Sequence, residues 1–313
     1  MSSIDQIRVT NEPKSEATLI QQRIAYIVVW IPTIGALLTG YLGWVYGVEI
    51  LDIAILAVMY VATIVGIEVG FHRYMSHHAF VAIRPLGVLL VILGSMAAQG
   101  PVMFWASTHR RHHAFSDQGG DPHSPKHQGS GMAGLLRGLF HAHMGWLFKP
   151  QQGDWMRYAR DLLKDRTLIY LNLYYWVWIL LGLVLPGVVC GLITGTWFGA
   201  LKGFLWGGLL RIFLVHHVVW SVNSLCHQFG TRPFQTREDS RNNVWLALFS
   251  LGGSWHNNHH AFPRTADNRM AWWQIDLCGL IIRALGALRL VRKIYFPPRE
   301  VREARRAAAS KSS

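Results

Sequence analysis

Residues 50–78 read ILDIAILAVMYVATIVGIEVGFHRYMSHH, and the fold follows from how this stretch is taken. From Ile50 to Phe71 it carries only two charges, Asp52 and Glu68, and is long enough to cross a hydrocarbon core of roughly 30 Å as one helix. His72 follows directly, so the cluster His72, His77, His78 lies where that helix leaves the lipid. Upstream, Arg23 to Val48 is another apolar run of spanning length, parted from the first only at Glu49, which predicts a tight helical hairpin. Downstream, Leu168–Ile193 and Trp197–Leu225 form a second hairpin around Thr194-Gly195-Thr196. Pro85 to Ala106 is also apolar but holds Gly94, Gly100 and Pro101. An interfacial or re-entrant segment is expected there, because a full crossing would carry the next His cluster to the opposite side.

The expected fold is therefore an all-α integral membrane protein, with four transmembrane helices in two hairpins (about 24–48, 50–71, 168–193 and 197–225) under a helical cap. Residues 1–22 form a polar N-terminal segment and 23–298 the membrane domain; 299–313 form a basic tail, expected as a solvated or frayed helix. The hairpin tips lack Lys and Arg, and the segments at the other end carry nearly all of them, which puts both termini and all three His clusters in the cytosol. A bacterial inner membrane is preferred to the endoplasmic reticulum as the location.

Composition agrees. The chain of 313 residues is 51% hydrophobic and 15% charged, against about 25% charged in an ordinary soluble domain. Its net charge of +13 does not indicate nucleic acid, since the cations flank apolar runs; anionic headgroups or an anionic substrate at the membrane face fit better. Cys190, Cys226 and Cys278 form no C-x-x-C pair and are read as small buried residues.

The chemistry lies in the histidines. His109-Arg-Arg-His112-His113 and His256-Asn-Asn-His259-His260 both follow H-x-x-H-H, which sets three imidazoles on one face of a helical turn. At about one His per twenty residues, chance supplies roughly 0.04 such matches in a chain of this length. With two imidazoles from the first cluster these make eight donors, too many for one transition-metal ion and right for two. His227, four residues after Asn223 and on its face of the helix, is a ninth, with Asn223 supporting a bound water. His72 and His77 stand roughly 140° apart on an ideal helix, so periodicity leaves His77 and His78 equally open. An all-nitrogen two-metal site beside a membrane suits oxidation of an unactivated aliphatic C–H bond by dioxygen at iron, with apolar walls holding the alkyl chain.

Four ordered motifs carry a family resemblance over roughly residues 24–296: H-R-x-x-S-H at 72–77, H-R-x-H-H-x-F-S at 109–116 followed by Asp121-Pro122-His123, N-S-x-x-H at 223–227, and H-N-x-H-H-x-F-P at 256–263. The chain resembles the membrane fatty-acid desaturases of the acyl-CoA delta-9 type. The resemblance implies two Fe2+ ions held by His72, His77, His109, His112, His113, His227, His256, His259 and His260, with Asn223 acting through water. It selects His77 over His78. It implies dioxygen as co-substrate and a cis double bond between carbons nine and ten of a long-chain saturated acyl-CoA, or of an acyl-lipid. It also implies a separate electron donor, such as a ferredoxin or a cytochrome with its reductase.

Members commonly have Gly-Glu shortly before the last triplet, where this chain has Gly252-Gly253-Ser254-Trp255; Glu68, Asp117 and Asp121 are the candidates for the missing carboxylate. His143-Met-Gly-Trp146-Leu-Phe-Lys149 resembles a stretch near the substrate entrance, which makes Trp146 a candidate channel residue and Lys149 a candidate for a CoA phosphate. Arg110 and Arg111 are candidates for the same phosphates, weighed equally against lipid-facing cations. His216, His217 and Arg211 are ionisable groups inside a span and so are functional candidates of lower weight. The competing functions are a hydroxylase with the same His boxes, a metal transporter, and a haem-binding subunit.

Overall fold

The computed structural model describes residues 16–149 and 154–310. Most of the N-terminal segment 1–22 and the last three residues of the tail lie outside that range. Among the described residues four helices are long and apolar enough to cross a membrane: Leu19–Tyr46, Ile50–Ser76, Tyr175–Thr194 and Trp197–Leu225. The first is the major part of α1 (Glu16–Tyr46) and the second is α2. Gly47 (φ 78°) and Gly195 (φ 67°) make the left-handed turns at the two hairpin tips.

α2 outruns its apolar sequence. Its last eleven residues, Gly66–Ser76, are π-helical. Gly66 permits α3 (Arg84–Ser95) to touch α2 backbone to backbone, since a Cβ there would run into the Gly94 nitrogen. α3 is too short to span and turns away at Ser95, as expected of the 85–106 segment; α4 (Val102–Phe115) starts after Pro101 and carries the second His cluster. α5 (Gly131–His143) packs beside the fourth span.

The apolar run expected to cross from residue 168 is divided. α6 (Arg166–Leu173) ends at Tyr174, and the spanning helix α7 starts at Tyr175. The physical reason is polar: Asn172 accepts the Met103 N–H at 3.1 Å and the Tyr175 hydroxyl accepts the Gly100 N–H at 2.8 Å, so the break is tied to the start of α4. After α8 (Trp197–Leu225) come α9 (Val244–Phe249), α10 (His256–Ala261), α11 (Leu277–Ala287) and α12 (Arg299–Ser310). A two-stranded antiparallel ladder pairs Val81 with Arg292 and Ala82 with Val291.

The tail is less free than its composition suggests. Arg305 donates to the Ala261 carbonyl and lies over the Phe262 ring, so α12 is strapped onto the cap beside α10.

Candidate metal centre

Three segments end together at one end of the bundle: the π-helical end of α2, the face of α4 and the short α10. In a π-helix the hydrogen bonds run from residue i to i+5. The His77 N–H donates to the His72 carbonyl at 3.1 Å, which brings the two imidazoles to one side although an ideal α-helix would part them. His78 falls outside this register: it takes φ 52°, and its exposed ring meets Asp161 at 2.9 Å.

Nine imidazoles then converge in two groups. His72, His77, His109, His113 and His259 form one; His112, His227, His256 and His260 form the other. The two triplets are shared reciprocally. The i, i+4 pair of α4 enters the five-imidazole pocket and its His112 the other, while the i, i+4 pair of α10 enters the four-imidazole pocket and its His259 the first. The rings approach one another through their Nε2 atoms: 2.8 Å for His77–His109, 2.9 Å for His113–His259, 3.0 Å for His72–His259, His227–His256 and His256–His260, 3.1 Å for His109–His113 and 3.4 Å for His112–His260. Two nitrogens bound about 2.1 Å from a common ion stand about 3.0 Å apart at right angles and about 3.4 Å apart in a tetrahedron. The donor spacing therefore fits one transition-metal ion per pocket.

Carboxylates set the tautomers. The Nδ1–H groups of His72, His112, His227 and His260 donate to Glu68 (3.0 Å), Asp121 (3.0 Å), Asp117 (2.9 Å) and Glu238 (3.1 Å). With Nδ1 protonated, Nε2 turns its lone pair inward, the form a metal takes. Glu68, Asp117 and Asp121 were candidates from sequence. Glu238 was not: no periodicity links a residue of an irregular loop to His260, and its sole sequence signal is being one of few acids in a basic chain. The Glu68 carboxylate lies against Gly253, where a Cβ would meet Oε1 within 2.5 Å. The carboxylate behind His72 is thus delivered by α2, and Gly253 leaves the room for it.

Electrostatics keep six of the donors neutral. Burial, reinforced by the neighbouring imidazoles, holds His77, His109, His113, His256, His259 and His260 well below the ordinary histidine value. Burial alone would raise Asp117 and Asp121. The hydrogen bond and charge of His227 on the first, and of His112 on the second, outweigh it and bring both below the usual carboxylate range. The two asparagines of the last box are anchors: Asn257 exchanges hydrogen bonds with the Phe234 backbone, and Asn258 bonds Asn242, Gln274 and the Asn268 carbonyl, all buried.

A cavity of about 360 Å³ reaches the cluster, walled mainly by apolar and aromatic side chains, with His109, His123, Trp105 and Trp146 at the metal end and Asn223 also in its lining. Among the other sequence candidates, the Arg110 guanidinium bonds the Met75, Ser76 and Tyr158 carbonyls and Asp161, and so clamps the end of α2. Arg111 donates to the Gly120 carbonyl at 2.9 Å, and Lys149 is exposed just after the turn that carries Trp146. His216 and Arg211 donate to the carbonyls of Ala97 and Met96, satisfying the turn after α3, and His217 pairs with His143 at 2.9 Å; none of them reaches either pocket. His123, part of the motif after the second box, is buried between His112 and Trp146.

Residues 50–292 match the family model for fatty acid desaturases. The chain is 45% identical over 280 residues, 89% of its length, to the hex-5-enoyl-[acyl-carrier protein] acetylenase of Moorena producens, covering 87% of that protein. It is 35% identical to the sn-1 stearoyl-lipid 9-desaturase of a Synechocystis species over 236 residues, 75% of this chain and 68% of that one. It is 30% identical over 283 residues to the icosanoyl-CoA 5-desaturase of Limnanthes douglasii, with 89% and 72% covered.

Proposed function

The chain belongs to the fatty acid desaturase family, and from that premise we propose that it draws two hydrogens from a long-chain saturated acyl group to leave a cis double bond, at carbons nine and ten of acyl-CoA. The observation that supports this most is the pair of imidazole pockets opening on an apolar cavity. Two iron ions would be held by the nine histidines, with Asn223 contributing through water. When bound, they supply the activation of dioxygen that an unactivated C–H bond requires. The protein's own part is to orient: Glu68, Asp117, Asp121 and Glu238 fix the imidazoles, and Trp105, Trp146 and their apolar neighbours hold the chain and exclude water. The electrons come from a separate carrier protein, and the site faces the cytosol.

A second reading is favoured by the 45% identical relative: an acyl chain carried on acyl-carrier protein, with an existing double bond taken to a triple bond. One experiment separates these readings. The protein, in membranes of a desaturase-deficient host, is given the same acyl chain on CoA, on lipid and on carrier protein, and products are weighed by mass spectrometry. Loss of two hydrogens from the saturated CoA substrate is the expected result. Loss only from a monounsaturated carrier-protein substrate would establish the second reading, and an added oxygen would make the enzyme a hydroxylase.

A further inference from the structure

The carboxylates behind the imidazoles are not shared evenly. Asp117, Asp121 and Glu238 all serve the four-imidazole pocket, through His227, His112 and His260. Among the described residues the five-imidazole pocket has Glu68 alone, through His72, and the buried Nδ1 of His259 has no partner. Beside the four-imidazole pocket, Lys126 and Arg232 are both turned onto Asp239, at 2.8 and 3.2 Å, and beside the other pocket the cations are likewise paired. Arg73 is paired with Asp276 at 2.9 Å and Arg110 with Asp161 at 2.6 Å. Glu238 is itself held by the Ser240 N–H at 3.0 Å and the Thr236 hydroxyl at 2.8 Å, and Asp117 by the Asp239 N–H at 2.9 Å, so these anions are built in place.

In a buried site such an imbalance acts on whatever charge the ion carries. With neutral imidazoles, a divalent ion beside Glu68 leaves its pocket with roughly one unit of net positive charge, and one beside Asp117, Asp121 and Glu238 leaves roughly one unit of net negative charge. Losing an electron neutralises the second pocket and doubles the charge of the first. We propose that the two metal positions are inequivalent by design of these side chains: the ion in the four-imidazole pocket gives up its electron first, and Glu238, acting on it through His260, is a positioning residue for that ion alone. This rests on the two-iron reading above.

The test is Mössbauer spectroscopy of the whole protein loaded anaerobically with 57Fe2+ and titrated with ferricyanide, each ion giving one electron to one ferricyanide. The expected result is two ferrous doublets, of which the first equivalent converts one and leaves the other intact. Glu238→Gln and Asp121→Asn, which reach the pocket from different segments, should both perturb the doublet that converts first; Glu68→Gln should perturb the other. Both doublets converting together, or Glu68→Gln moving the first to convert, would overturn the proposal. If Glu238→Gln does not fold, Asp121→Asn and Glu68→Gln still decide it. Fewer than two irons bound by the parent protein would instead sink the two-iron reading itself.

Discussion

At the residue scale the carboxylates are the informative group. A histidine offers two nitrogens, and which one faces a metal depends on what the other touches. Four of the nine have a carboxylate on Nδ1. The contact between Glu68 and Gly253 is the most sensitive of these positions, because a single added carbon would meet the carboxylate at 2.5 Å. Gly253→Ala is therefore expected to push Glu68 off His72 and lower iron content. Loss of such an outer partner costs about 10- to 100-fold in metal affinity. Iron quantified after equilibration with a graded chelator checks it, and unchanged retention would show that Glu68 does not govern His72. The sequence named Glu68 as one of three candidates; that Gly253 makes the room for it is a fact of the packing between α2 and a segment far along the chain.

At the scale of elements, the π-helical end of α2 decides which histidines enter. A helix of ordinary pitch cannot direct residues five apart to the same place. The wider turn does so, and the clamp of Arg110 on the Met75 and Ser76 carbonyls, with Arg73 locked to Asp276 and the Ala266 carbonyl, fixes where it ends. His78 lies past that end in the left-handed region, which asparagine tolerates better than most residues. His78→Asn should keep most of the activity and both irons, whereas His77→Ala should lose product formation altogether. Product assays and metal analysis on the two variants check this, and the reverse pattern would place His78 in the pocket. The motif spacing carried no sign of the π turn: 72 and 77 remained unreconciled on a helical wheel, and only the family resemblance chose between 77 and 78.

At the scale of the whole molecule, the cap is held by what it surrounds. Six imidazoles have folded-state values well below about 6.5, their usual value. The unfolded chain therefore takes up protons on acidification before the folded one does. Stability from this source is complete above about pH 6.5 and is lost as pH falls toward the folded values. His112, raised by Asp121 against its burial, acts in the opposite sense but is one group against six. The melting temperature of metal-free protein in detergent should thus stay nearly level down to about pH 6.5 and fall from there toward about pH 5. Bound iron should blunt the fall, because a metallated nitrogen has no proton to gain in that range. Scanning fluorimetry with and without iron measures both, and a melting temperature that rose on acidification would contradict the buried neutral cluster.

The sequence by itself determined the class of fold and narrowed the candidate donors to the imidazole-rich boxes, because apolar runs of spanning length and clustered histidines are local patterns that need no knowledge of packing; it left His77 and His78 open. It also fixed which end of each span carries chemistry. The tertiary structure decided what depends on contacts between distant segments. It exchanged the two triplets between pockets, ended the third apolar run at a polar tie to α4, turned Arg110 inward as a clamp, and brought Glu238 to His260. No periodicity records a hydrogen bond between residues a hundred positions apart, so the unequal charge behind the two pockets became visible only when the chain was folded.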